Sequence, residues 1–360
     1  MNRKSTLKKQ VNKSKFLDAK EVEKFIRAIL FSENVQDSVS EYVANGLVQT
    51  SLRGVDSHGI RLFPHYVRAL KSGRINGNPN FHFKKTSLTT GILDADDTFG
   101  HAAGMEAVNH VIKMAEEAGS GHVIIKNSTH FGSAAYYALA LAEKDLLGWS
   151  FTHADSLMLS YNGKRPYLGT NPYCFAAPCK DEPPFCLDMA TTNISFNQVK
   201  KYREDSIPIP GGFAADKSGK ETFDANQAAS LFPIGRYKGF GLSMMIEVLC
   251  SQLSGMPYGR SIVPMFTAPL EEKRKLGHFI SGIRINCFQP VEEFKQRMKE
   301  MMDEIRSEPF ISDDSPVRVP NDPEKKAFNY RIKNGIPINK IDWDEFSNLA
   351  NEYDINFRED

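Results

Sequence analysis

Asp56-Ser57-His58-Gly59 sets a carboxylate, a hydroxyl and an imidazole in consecutive positions, with Arg53 before them and Arg61 after. A turn uses aspartate and glycine for their backbone angles, but it needs neither serine nor histidine beside them. A histidine near neutral pKa moves protons, a serine hydroxyl orients it, and an arginine grips a carboxylate with two parallel hydrogen bonds. The alternative is a helix cap with solvated side chains. A second turn, Asn127-Ser128-Thr129-His130-Phe131-Gly132, stands where a strand hands over to a helix. Helix N-termini at such handovers favour anionic ligands. His130 is either a proton carrier there or a core histidine bonded to a carbonyl. The third turn, Arg236-Tyr237-Lys238-Gly239-Phe240-Gly241, offers two cations at the mouth of a helix, a setting for phosphate. Its glycines equally allow close helix packing while the cations are solvated.

The familiar fingerprints are missing. The chain carries no G-x-G-x-x-G after a strand, no G-x-x-x-x-G-K-[ST], no H-E-x-x-H and no G-x-S-x-G. This disfavours a Rossmann site, a P-loop, a zincin and an α/β-hydrolase elbow. The histidines and aspartates lack metal-ligand spacing, so no metal site is expected and a metal hydrolase is a remote reading. The 45 basic and 44 acidic residues give a net charge of +1, which favours a small-molecule partner over nucleic acid or an acidic membrane face. The five cysteines form no C-x-x-C pair, as expected of reduced thiols in the cytoplasm. No apolar run approaches a membrane span.

The positioning elements follow from periodicity. From the N-cap Asp18, Val22, Phe25, Ile26, Ile29 and Leu30 recur at helical spacing, and Val39, Tyr42, Val43 and Leu47 repeat the pattern. A third helix carries Tyr66 and Leu70 and stops at Gly73. The centre alternates differently: helix Met105 to Ala118 capped by Gly119, strand Val123 to Lys126, helix Ala134 to Lys144, strand Trp149 to Thr152. Further strands are expected at Tyr173 to Ala177, Phe185 to Leu187 and Phe279 to Ile285, with a helix from Gly239 to Leu253, a loop from Ile207 to Gln227, and an amphipathic helix through Val291, Phe294, Met298, Met301 and Ile305. The 360 residues divide into a flexible basic arm (1–16), a helical part from 17–85 with 288–350, and a sheet part over 86–287.

Five segments in order, SLRGVDSHGIRLFPHY, NSTHFGSAAYYA, GTNPYCFAAP, FCLDMATT and YKGFGLSMMIEVL, resemble the malate/L-lactate dehydrogenase family, whose members include ureidoglycolate and sulfolactate dehydrogenases and diketogulonate and piperideine-carboxylate reductases. The resemblance runs from about Leu17 to Ile336. It implies an α+β fold in which a largely antiparallel, non-Rossmann sheet binds NAD or NADP beside a helical domain built from both chain ends. It also implies a homodimer that moves a hydride between nicotinamide and a small 2-hydroxy or 2-oxo acid, or a cyclic imine acid. A dinucleotide-binding or regulatory protein without turnover is the alternative.

Carried onto this chain, the resemblance makes His58 and His130 the acid-base candidates and leaves the choice between them open. It assigns substrate contacts to Ser57 and Arg61. Cofactor contacts fall on Asp188, Met189, Ala190, Thr191, Thr192, Asn193 and Ile194, on Tyr237 with Lys238, and on Asn321 with Asp322. Departures leave substrate and cofactor preference open. Leu62 stands where many members carry the carboxylate arginine, Phe196-Asn197-Gln198 replaces an Arg-Gly-Lys step, Pro320-Asn321-Asp322 replaces Pro-Gly-Glu, and Arg236 replaces a glycine.

Overall fold

The computed structural model describes residues 15–312 and 315–356. The chain begins in β1 (Lys15–Leu17) and continues through α1 (Ala19–Ser32), α2 (Asp37–Leu52) and α3 (Phe63–Lys71). Of the expected basic arm, residues 1–14 lie outside the described residues, while Lys15 and Phe16 pair within β1. Asp18 caps α1 as its sequence position predicts, accepting from the N–H groups of Lys20 at 2.8 Å and Glu21 at 3.0 Å. Such a cap is worth about 0.5–2 kcal/mol. All five apolar positions anticipated for α1 are buried, each side chain contributing about 1.5–3 kcal/mol relative to exposure.

A seven-stranded sheet forms the centre. Its strands are β2 (His82–Lys85), β3 (Thr90–Asp94), β4 (Ser120–Ser128), β5 (Leu146–Thr152), β8 (Tyr173–Ala177), β9 (Phe185–Met189) and β12 (Leu276–Arg284), in the order β2-β3-β4-β12-β5-β8-β9. Every neighbouring pair is antiparallel except β3 with β4. Helices α4 (Gly100–Ala118) and α5 (Ala135–Ala142) pack against this sheet, and the apolar alternation of β4 places Val123 and Ile125 beneath them. A four-stranded sheet of β6 (Met158–Leu159), β7 (Pro166–Leu168), β10 (Ala214–Ala215) and β11 (Ser230–Leu231) lies alongside α6 (Phe196–Glu204). Then come α7 (Tyr237–Glu247), α8 (Val291–Ser307), α9 (Asp322–Asn334), β13 (Ile336–Ile338) and α10 (Lys340–Glu352).

The two ends of the chain share one core. β1 pairs with β13, and the cluster holding Phe25, Leu47 and Phe63 includes Ile336, Phe346 and Leu349. Phe25 stacks on Phe346 with ring centroids 5.7 Å apart. Several expected bounds shift: the strand expected from Phe279 starts at Leu276, and the loop expected over 207–227 holds β10. The helix expected from Met105 begins five residues earlier at Gly100, and the helix expected over 239–253 starts at Tyr237 and widens into a π turn over Val248–Gln252. No described helix is long and apolar enough to cross a membrane.

Candidate active site

The serine-histidine turn is fixed from below. Two short 3₁₀ turns, Asp56–His58 and Ile60–Leu62, follow α2 and fold back on it. Ile60 N–H donates to Ser51 Oγ at 2.9 Å, and Gly59 passes so close that a Cβ there would sit 2.0 Å from that oxygen. Asp56 is drawn toward Arg331 of α9, which also bonds the Ser51 carbonyl at 2.6 Å. Asp56 is therefore an anchor, and Ser57 and His58 are left facing a cavity. Ser57 Oγ lies 2.8 Å from His58 Nδ1.

The second turn meets the first. After β4, Thr129 Oγ1 donates to the Thr98 carbonyl at 2.9 Å and accepts from Gly100 N–H at 3.1 Å, tying the turn to the start of α4. His130 then stacks against His58 with centroids 5.6 Å apart and planes 18° from parallel. Its Nδ1 is 2.6 Å from the hydroxyl of Tyr66, which rises from α3. Burial pushes the His58 imidazole down to about 4, with Arg61 adding repulsion. Burial likewise holds His130 well below its ordinary value, helped by His58 and Arg274, and takes His101 behind them to about 3. Both rings facing the cavity are thus neutral near pH 7.

The cavity encloses about 1050 Å³ and runs from the two histidines past Asp155 and Arg274 to Asp188 and Asn321. That exceeds what a small acid fills and suits a dinucleotide with a small acid beside it. Arg274 is the cation that sequence reading missed. It is 3% exposed, its Nε donates to the Val263 carbonyl at 2.9 Å, and it pairs with Asp155, whose other oxygen accepts from Met265 N–H at 2.7 Å. Its Nη1 has no hydrogen-bond partner among the described residues. In sequence it hides in Glu271-Glu272-Lys273-Arg274-Lys275, which reads as a solvated charged loop. Arg61, expected at the substrate, does not line the cavity. The three-residue pitch of its 3₁₀ turn brings Leu62 to the wall and sends Arg61 outward toward Asp342 at 3.9 Å.

The residues expected at the cofactor divide. Asp188, Met189, Ala190 and Asn321 line the cavity. Asp188 Oδ2 accepts from Ser133 Oγ and Ala135 N–H, each at 3.0 Å, so this side chain takes the anion position at the start of α5 that a ligand was expected to use; burial raises its pKa. Asn321, left-handed at φ 84°, accepts from Arg53 at 2.8 Å and donates to the Pro184 carbonyl at 2.7 Å. Thr191, Thr192, Asn193 and Ile194 do not reach the cavity. The first three bond backbone carbonyls of Thr170, Ile194 and Gly212, Ile194 packs on the small cluster around Val199, and the wall resumes at Ser195, Phe196 and Lys200. Asp322 turns from the cavity to Arg306 at 2.7 Å. Tyr237 and Lys238 lie on the exposed start of α7, outside the cavity lining. Among the described residues no group of three or more His, Cys, Asp or Glu side chains is placed to hold a metal.

The fold, and about a third of the sequence, are shared with known dehydrogenases. Malate dehydrogenase of Pyrococcus abyssi is 33% identical over 336 residues, 91% of each chain. Ureidoglycolate dehydrogenase (NAD(+)) of Escherichia coli is 34% identical over 265 residues, 74% of this chain and 76% of that one. The sulfolactate dehydrogenase structure from Methanocaldococcus jannaschii superposes with a TM-score of 0.89 at 32% identity, covering 95% of this chain and 98% of that one. The model of the malate/L-lactate dehydrogenase family matches residues 17–347, and with paired histidine turns beside a non-Rossmann sheet the chain belongs to that family.

Proposed function

We propose that the protein is a nicotinamide-dependent oxidoreductase acting at C2 of a small 2-hydroxy or 2-oxo acid or a cyclic imine acid. The observation that carries this reading is the pair of neutral stacked histidines on the wall of a cavity whose buried cation is Arg274. Arg274 grips the substrate carboxylate through its uncommitted Nη1, while Asp155 fixes the guanidinium. The histidines and Ser57 bond the C2 oxygen or nitrogen, and the step is worth about 10² to 10⁴ in rate. NAD or NADP, when bound, supplies or takes the hydride. Asp188, Met189, Ala190 and Asn321 hold it, with Arg53, Lys200 and Arg318 of the same wall facing its phosphates. A protein without turnover would have no use for this arrangement of proton carriers and carboxylate cation.

The protein acts in the cytoplasm, in keeping with five unpaired cysteines. It works as a homodimer, with neither nucleic acid nor a membrane as partner. The dimer reading rests on α7 and the turn after it, where Tyr237, Met244, Met245, Val248, Leu253 and Tyr258 are exposed. Tyr237 and Lys238 then belong to the subunit interface. Fluorescence titration with NADH and NADPH, followed by loss of reduced-nicotinamide absorbance with a panel of 2-oxo acids, tests the activity. Tight cofactor binding with no turnover of any acid overturns it, and light scattering at a monomer mass overturns the dimer.

A further inference from the structure

Tyr66 and His130 share a hydrogen bond whose direction decides what each cavity histidine does. Tyr66 is 2% exposed, and its hydroxyl has one hydrogen-bond partner among the described residues, His130 Nδ1 at 2.6 Å. Its ring is wedged edge-on against Phe99 and His101, which keeps the hydroxyl beside His130. If Nδ1–H donated to the tyrosine oxygen, the phenolic proton would be left without an acceptor in the interior, a costly state for a buried donor. The positive charge of Arg274 is felt at both Tyr66 and His130.

Resting on the oxidoreductase reading above, we propose that Tyr66 is a positioning residue that donates its O–H to His130 Nδ1 and so locks His130 in the Nε2–H tautomer. The Nε2 side of the ring has no hydrogen-bond partner in the described chain and is not sealed from solvent, so this N–H faces the cavity. A neutral imidazole protonated there donates a hydrogen bond to the substrate oxygen. It cannot take a proton at the same atom. In alcohol oxidation the hydroxyl proton therefore goes to His58. The O–H proton passes to a bare ring nitrogen of His58 as the C–O bond becomes a carbonyl, and a nicotinamide held in the cavity would take the C2 hydrogen with its electron pair as hydride. Ser57 Oγ, which either donates or accepts at His58 Nδ1, adapts to the imidazolium that results. His58 is the proton carrier and His130 the fixed donor.

The test reads the tautomer itself. Long-range nitrogen-proton NMR of ligand-free protein labelled with ¹⁵N-histidine, with the His130 signals assigned by their loss in His130→Gln, is expected to show Nε2 protonated and Nδ1 bare. Tyr66→Phe is expected to mix the two tautomers and to lower kcat by about tenfold, the equivalent of one hydrogen bond, with KM for the acid nearly unchanged. His130→Gln, whose amide still donates, keeps kcat within about tenfold, whereas His58→Gln loses about 10² to 10⁴. An Nδ1–H tautomer in the wild type overturns the proposal, as does a His130→Gln loss as deep as that of His58→Gln. If Tyr66→Phe fails to fold, the wild-type spectrum alone decides. If no acid is turned over while the Nε2–H signal is present, the activity reading has failed and the assignment of the bond stands.

Discussion

The turns at Asp56–Gly59 and Arg236–Gly241 look alike in sequence: each sets glycines and charged or ionisable groups beside a helix end. In the folded chain they do opposite things. At the first, Gly59 lets the backbone lie on Ser51, which turns Ser57 and His58 into the cavity. At the other, Gly239 lets the start of α7 close on its own approach, since a Cβ there would stand 2.1 Å from the Ile234 carbonyl, and Arg236 and Lys238 are left exposed. A helix mouth with two cations is a ligand site only when the rest of the chain builds walls around it. The first turn has walls from the His130 turn, the loop around Arg274 and the segments carrying Asp188 and Asn321; the third lies outside that cavity among the described residues.

The largest effect that sharpens this contrast is on turnover. His58→Gln is expected to lower kcat by about 10² to 10⁴, because it removes a group whose interaction strengthens as charge develops. Arg236→Gln is expected to leave kcat at the wild-type value. Steady-state rates at saturating cofactor check both, and equal losses would abolish the distinction between the turns.

A second pair separates the two arginines. Arg274→Met should raise KM for the acid by about tenfold or more, since a charge-assisted contact is worth about 1.5–3 kcal/mol. Arg61→Met should change KM little, because its side chain is 41% exposed and faces Asp342. An elevated KM in the Arg61 variant alone would restore the carboxylate contact to the position expected from sequence.

What was legible in the sequence and what was not follows from where the information lies. α1 was legible because Asp18 and its apolar positions are all local signals. His58 and His130 were legible as candidates because the backbone angles of a turn require neither serine nor histidine, with a helix cap and a core histidine as the alternatives. α6 was not, since Val199 is its one fully buried residue and it carries no apolar stripe to read. Arg274 was invisible for another reason: its burial is set by Asp155, more than a hundred positions away, and nothing in its own charged run marks it. Tyr66 was read as a helix core residue, which it is; its bond to His130 depends on α3 meeting the turn after β4.

The pH dependence of stability is a smaller effect that also divides the regions. Burial depresses His58 to about 4, His101 to about 3, and His130 well below the usual histidine value. Between about pH 6.5 and those folded-state values the unfolded chain binds more protons than the folded one. Stability is therefore full above about pH 6.5 and is lost as pH falls toward 4. His58→Gln removes one such group and should flatten the fall in Tm over pH 6.5 to 4.5, whereas Lys238→Gln should leave the slope as it is. Superimposable Tm profiles for wild type and the His58 variant would contradict the burial of that ring.

The smallest expected effect concerns the backbone of the third turn. Arg236 has φ 60° and ψ −117°, a conformation that suits glycine and strains any residue with a Cβ. Such strain costs about 1–3 kcal/mol, and a glycine recovers it while losing about 0.5–1 kcal/mol to the greater freedom of the unfolded chain. The balance favours glycine, so Arg236→Gly is expected to raise Tm by about one to a few degrees with kcat unchanged. At Gly59 the logic runs the other way. There the requirement is for space, and Gly59→Ala should lower Tm by pushing the serine-histidine turn off Ser51 and should cost turnover along with it. If Arg236→Gly instead destabilises the protein, the arginine makes a contact worth more than its strain, and a subunit interface that covers the start of α7 is where that contact would form.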